Sequence, residues 1–445
     1  MGNAKKLPKS MSRRRFLQLT SLTALGVAAG CATNPVTGQR QLMLISEEQE
    51  IAIDRERAPY QFSEDYGPLQ NQRLNQYING VGLRLASKSH RPHMPYSFRG
   101  VNAVYINAYA FPGGSIAATR GILVELETEA AMAALLGHEI GHVNARHTAE
   151  QMSKGLLAQL FVSGASIFAS AYGYGNLAQQ LGMLGAGALL AHYSRDNERE
   201  ADALGMEYMV RAGYNPQGMV ELMELLLKQS KHDMGPAQLL FATHPMSQER
   251  YDTAVQRART KYADALASLP MYKERFMDNM APLRAKKRPI KLFQQAHTKL
   301  MHKQPKKAEG LFKQGLRLAP NDYAGLLMMA KCQLVLDKVR EGYLYAKEAN
   351  KVYPEEPQSY LVKGVASLKL KRFEEAYQDL DKYDKLLPGN PNVTFYKGFA
   401  LEHMGRREEA ARAYYAYLQQ VRRGERAQYA YSRLVQWGYL RRQRR

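Results

Sequence analysis

Two histidines four residues apart, His138 and His142, enclose Glu139 in the segment HEIGH. On an α-helix four residues advance about 400°, so both imidazoles leave one face about one turn apart. Rings so placed can ligate a single Zn²⁺ while the neighbouring carboxylate takes a proton from a metal-bound water, the chemistry of a zinc peptidase. The competing reading is a chance match in a polar helix. The flanks TEAAMAALLG and VNARH weigh against it, because Met132, Leu135, Leu136, Ile140 and Val143 recur at the spacing of a helix inside a core.

A catalytic zinc needs three protein ligands and an open position. His147, nine residues past His138, is carried about 900° round a continuous helix, to the opposite side. The metzincin pattern would place glycine at position 145 and histidine at position 148, where this chain has Ala145 and Thr148. The third ligand must therefore come from further along. SRDNEREADALG presents Glu198 and Asp202 four apart, so a second helix can offer one carboxylate to zinc and the other to a ligand histidine, fixing its tautomer. Glu200 is the rival, but its side chain points about 200° from that of Glu198 and off the face shared with Asp202. A surface helix laced with i,i+4 charges could carry the same residues, yet it leaves HEIGH unexplained.

Five segments occur in order: NPVTGQRQLMLISEEQE (34–50), NAYAFPGGSIAATRGIL (107–123), HEIGH, NEREADALG (197–205) and ATHPMSQER (242–250). By these the chain resembles the metallopeptidases that pair HExxH with ExxAD, the family of the HtpX heat-shock protease and the CAAX prenyl proteases. Within it the match is with the periplasmic branch that carries C-terminal tetratricopeptide repeats, the β-barrel assembly-enhancing proteases. The resemblance implies one Zn²⁺ per subunit on His138, His142 and Glu198, Glu139 as general base, and Asp202 behind the ligands. A mainly α chain is implied: a zincin-type α+β domain with a small β-sheet, then an α-solenoid. His244, in the THP segment, gains a place near zinc chiefly from the resemblance, as a reversible fourth ligand or a donor to the tetrahedral intermediate. His90, His93 and His192 carry no partner pattern and read as polar or packing residues. The extended segment Ser115–Thr119 after the turn at Pro112–Gly114 could pair with a substrate strand, or complete a hairpin in a small sheet.

The N-terminus reads as an address. SRRRFLQ at 12–18 matches a twin-arginine export signal, with Gln18 in place of the usual lysine, and a short apolar run leads to Cys31. Cys31 resembles the acylated cysteine of a lipoprotein, with Ala28 where leucine is usual, and Ala32 beside it favours transfer to the outer membrane. The signal accounts for six of the positive charges, which takes the net charge from +21 to +15. That excess suits anionic membranes or acidic partners; no groove-reading motif accompanies it, so nucleic acid is not expected. If Cys31 is acylated, Cys332 has no partner within the chain and no disulfide framework is expected. Gly155–Ala191 is uncharged, but its glutamines and SAYGYGN interrupt any clean span, which favours two buried or site-covering helices over a membrane hairpin; as a lid they would have to move for substrate to enter.

Pro320, Pro354 and Pro388 stand 34 apart, and small residues recur at the same period: Ala296, Ala330, Gly364, Gly398, and Ala308, Gly342, Ala376, Ala410. These are tetratricopeptide repeats. The expected organisation is a signal (1–30), a linker (31–45), a metallopeptidase domain (46–265), a solvated connector (266–288), four repeats (289–424), and a capping helix with a basic tail (425–445). Function follows as an envelope zinc endopeptidase acting on unfolded or misassembled proteins, with the repeats meeting clients or the outer-membrane assembly machinery. Two alternatives remain: a chaperone or assembly adaptor with a latent or structural zinc site, and a narrow processing enzyme.

Overall fold

The computed structural model describes residues 31–163, 193–230 and 235–441. The export signal of 1–30, His192 and the helices expected across 164–192 lie outside the described residues. Strands β1 (Cys31–Thr33) and β2 (Arg40–Leu42) form an antiparallel hairpin. Its turn is held by Asn34, whose Oδ1 accepts from the Val36 and Thr37 amides. The stretch expected as a linker is thus strand in part, and Met43 and Ile45 at its end are buried.

Helices α1 (Glu47–Glu64) and α2 (Gln72–Ala86) start on the side-chain caps Ser46 and Asn71. A three-stranded sheet follows from β3 (Ser97–Val101), β4 (Ala108–Ala110) and β5 (Ser115–Thr119), with β5 in the middle, parallel to β3 and antiparallel to β4. β5 therefore has both ladders in use, and Ser115–Thr119 has no edge left for a substrate strand; the hairpin reading holds. The outer edge of β3 is covered by Asn79 on the Phe98 amide, Asn75 on the Gly100 amide, and the Leu69 amide on the Gly100 carbonyl. Among the described residues, β4 is the edge with no further strand beside it.

After the short α3 (Arg120–Leu123), Thr128 caps α4 (Glu129–Asn144), all of whose residues are buried. Chain direction then changes at Arg146, which takes φ +59°, and α5 (His147–Ser163) begins. Helix α6 (Arg195–Arg211) runs along α4 backbone to backbone. Glycines permit this: a Cβ on Gly205 would stand 2.8 Å from the His138 nitrogen, and one on Gly141 would stand 2.9 Å from the Ala201 carbonyl oxygen. Helices α7 (Gln217–Ser230), α8 (Gln238–Thr243), α9 (Gln248–Arg259) and α10 (Ala263–Ser268) complete this half. The connector is not a solvated linker. It contains α11 (Lys273–Arg284), which buries Phe276, Met280 and Leu283 and pairs Arg275 with the buried Glu129.

Eight helices then stack as pairs: α12 (Lys287–Met301) with α13 (Pro305–Leu318), α14 (Tyr323–Val335) with α15 (Val339–Val352), α16 (Pro357–Lys369) with α17 (Phe373–Leu386), and α18 (Pro391–His403) with α19 (Arg407–Gln420). Small residues let each pair close: a Cβ on Gly342 would lie 3.2 Å from the Ala330 carbonyl oxygen, and one on Gly364 3.5 Å from that of Ala376. The turn inside each pair carries one left-handed residue, Lys303, Asp337, Lys371 and Gly405, again 34 apart. Helix α20 (Glu425–Gln436) covers the last pair, with Trp437 stacked on Tyr414. Near the ends of the first three repeats the solenoid bonds to the first half, beside contacts such as Gln294 Nε2 on the Val104 carbonyl. Asp322, the cap of α14, takes a two-pronged bond from Arg120 at 2.7 and 2.9 Å; Glu356, the cap of α16, accepts from Ser63; and the Pro388 carbonyl accepts from Tyr60. Among the described residues no helix is long and apolar enough to cross a membrane.

Candidate metal centre and active site

The close approach of α4 and α6 brings HEIGH against the start of the second carboxylate segment. His138 Nε2 lies 3.1 Å from His142 Nε2, and His142 Nε2 lies 3.2 Å from Glu198 Oε1. The chain leaving α8 adds His244, whose Nδ1 is 2.9 Å from Glu198 Oε1 and 3.4 Å from His138 Nε2. All four residues are buried, and their donor atoms lie within 4.8 Å of one another. Donors bound tetrahedrally at about 2.0–2.1 Å stand roughly 3.3 Å apart, so three imidazole nitrogens and one carboxylate oxygen at these separations fit a small divalent cation. Glu200, the rival carboxylate, is not in this group.

His138 and Glu198 have partners behind them. His138 Nδ1 is 2.9 Å from Asp202 Oδ1, which leaves Nε2 as its free donor toward the cluster. Arg250, on α9, is not singled out by the sequence reading, although it closes the ATHPMSQER segment. Its Nε and Nη2 each donate to Asp202 at 2.7 Å, and its Nη1 lies 2.7 Å from Glu198 Oε2. Burial alone would raise the Glu198 carboxyl, but the imidazoles of His244 and His138 hold it well below the usual carboxylate range. Burial likewise opposes ionisation of Asp202, and the Arg250 guanidinium overrides it.

Glu139 differs from both. It is buried, its Oε2 has no hydrogen-bond partner among the described residues, and burial pushes its carboxyl up. A raised carboxyl that interacts with His138 and His244 is placed to hold a proton transiently, as a general base must.

His147 departs from the expectation of a continuous helix. Because α4 ends at Asn144 and the chain reverses at Arg146, the ring of His147 returns to the site, with Nδ1 2.9 Å from His142 Nδ1. It stays outside the four-residue cluster. Tyr193 lies against the other side, stacked on His142 at 3.8 Å and bonded to Thr148. His90 bonds Tyr208 and His93 pairs with Glu47, both away from the cluster.

Residues 72–258 match the model of peptidase family M48. The chain carries an M48 peptidase domain. The matched stretch contains all four residues of the cluster, together with Glu139, Asp202 and Arg250. The Beta-barrel assembly-enhancing protease of Escherichia coli (strain K12) is 33% identical over 190 residues, 42% of this chain and 39% of that protein. The Mitochondrial metalloendopeptidase OMA1 of Schizosaccharomyces pombe is 31% identical over 176 residues, 39% of this chain and 50% of that protein. The chain thus matches half or less of the length of these relatives. Among solved structures, a thermophilic TPR protein of Thermus thermophilus is 19% identical with a TM-score of 0.29, over 41% of this chain and 95% of that one.

Proposed function

We propose that this chain is a zinc-dependent endopeptidase of the bacterial cell envelope that degrades misfolded or assembly-stalled proteins, outer-membrane β-barrel proteins foremost, and aids their assembly. The observation that carries this reading is the buried convergence of His138, His142 and Glu198 beside Glu139, whose Oε2 has no hydrogen-bond partner among the described residues. Zinc held by those three residues would supply Lewis acidity, lowering the pKa of a coordinated water to about 7 and polarising a peptide carbonyl. Glu139 would then act as the base that accepts a proton from the attacking water and as the acid that returns it to the leaving amine nitrogen. Asp202, itself clamped by Arg250, holds His138 in one tautomer. An extended client segment would pair at the edge of β4, which lies beside α4; main-chain pairing is indifferent to side chains and suits unfolded clients.

His244 completes the cluster as a reversible fourth ligand or a donor to the tetrahedral intermediate. Its position favours a second reading, a chaperone or assembly adaptor whose site is latent. Export through the 1–30 signal, an anchor on Cys31, and client or assembly-machinery contacts along the repeats belong to the same proposal.

The test is cleavage of an unfolded outer-membrane protein by the purified chain and by Glu139→Gln, with zinc quantified in both. Cleavage by the parent, reduced by about 10²–10⁴-fold in Glu139→Gln at unchanged zinc content, is expected. No cleavage by either protein with zinc fully bound would overturn the endopeptidase reading, unless His244→Ala releases it, which would assign latency.

A further inference from the structure

The two residues set aside as ligands, His147 and Glu200, meet each other. His147 Nε2 lies 3.2 Å from Glu200 Oε2, and His147 Nδ1 lies 2.9 Å from His142 Nδ1. His142 in turn faces the cluster with Nε2. Glu200 therefore stands at one end of an unbroken chain of contacts whose other end is a donor atom of the metal centre.

With a cation taken by His142 Nε2 and Glu200 ionised, one assignment of protons fits these contacts. An ionised carboxylate only accepts, so Glu200 takes a hydrogen bond from His147 Nε2–H. A neutral ring protonated at Nε2 carries its lone pair on Nδ1, so His147 Nδ1 accepts from His142 Nδ1–H. His142 protonated at Nδ1 then presents the lone pair of Nε2, the form in which an imidazole binds a cation. His138 reaches the same state with a single carboxylate, Asp202, directly on its Nδ1. The two histidines of one helix thus differ in how they are oriented. The carboxylate behind His138 is buried and clamped by Arg250, whereas Glu200 has its side chain 28% exposed and acts through an intervening ring.

We infer that His147 and Glu200 are positioning residues that fix the tautomer and orientation of His142, and so set the affinity of the site for zinc. This rests on the zinc reading of the cluster. The left-handed turn at Arg146 is what makes it possible, since a continuous helix would carry His147 away.

The experiment strips the full-length chain of metal, then measures zinc affinity by competition with a chromogenic chelator and records the visible absorption spectrum of the Co²⁺-loaded protein. Parent, His147→Phe, His147→Asn, Glu200→Ala and the double variant His147→Phe/Glu200→Ala are compared, and melting of the metal-free forms checks folding. His147→Phe keeps the ring but offers no acceptor, and is expected to weaken zinc binding by about 10–100-fold and to shift the cobalt bands. His147→Asn places an amide oxygen near the lost Nδ1 and is expected to recover most of the affinity. Glu200→Ala, at a partly exposed position, should fold normally and fall between parent and His147→Phe. The double variant should be no weaker than His147→Phe alone, because the two residues act in series. If folded His147→Phe or folded Glu200→Ala binds zinc as the parent does, the inference is overturned. If the parent itself takes up no zinc, the reading of the cluster falls instead, so the two failures are told apart.

Discussion

Helix α4 and helix α13 are nearly equal in length and opposite in construction. Every residue of α4 is buried, including His138, Glu139 and His142, whereas α13 buries only Ala308, Glu309, Phe312, Gly315 and Leu316 along one face. A helix enclosed on all sides carries ionisable groups at a cost that partners must offset, as they do for His138 and His142 but not for Glu139 Oε2. In α13 most charges are turned to solvent, and the one buried carboxylate, Glu309, is answered by Lys313 and Lys338. The first half of the molecule is therefore held by particular polar contacts and glycine backbones, the second by a recurring pattern.

This contrast is sharpest where the halves join. Arg120 and Asp322 are both almost completely buried, so Arg120→Met would leave a carboxylate unanswered and is expected to cost about 3–5 kcal/mol in urea unfolding. Removing the exposed Arg406–Glu409 pair within the repeats should cost about 0–1 kcal/mol. Equal losses would break the comparison.

Glu356 gives a pH signature at the same joint. Burial pushes its carboxyl up to about 7 from an ordinary 4.5, with Ser63 and the Gln358 amide lowering it only in part. Between those two values the unfolded chain releases a proton that the folded chain keeps, so stability falls as pH rises through that window and stays lower above it. Glu356→Gln is expected to remove this dependence, stabilising by on the order of 1–3 kcal/mol at pH 8 and leaving pH 4 unchanged. Melting both proteins across pH 4–8 checks it; parallel curves would refute it.

The smallest difference is also the most local. Gly141→Ala pushes against the α6 backbone and should cost about 1–3 kcal/mol, with weaker zinc uptake as Glu198 shifts. Gly364→Ala meets the Leu380 side chain at 3.0 Å, which can give way, and should cost less than about 1 kcal/mol. Thermal melts of the two variants decide the order.

What can be read from the chain divides along the same line. The repeats are legible because Pro320, Pro354 and Pro388, and the small residues before them, restate one local pattern. HEIGH and the carboxylate segment are legible because helix geometry fixes which side chains share a face. Contacts made by turns are not. Helical spacing puts His147 on the wrong side because nothing local in VNARHT announces a left-handed residue at Arg146. Spacing alone leaves β5 open to substrate because an extended segment does not declare how many neighbours it has. Arg250 goes unnoticed since its partners, Glu198 and Asp202, lie 52 and 48 residues away in sequence and on a different helix.

Asp322 and Glu356 stand 34 residues apart and Pro388 lies 32 further on, near the end of the third repeat, where the contacts named at the joint end. The mooring of the array is thus written into its first three modules. Modules could be added or removed beyond that point, lengthening or shortening the reach of the molecule, while the peptidase domain kept the same footing.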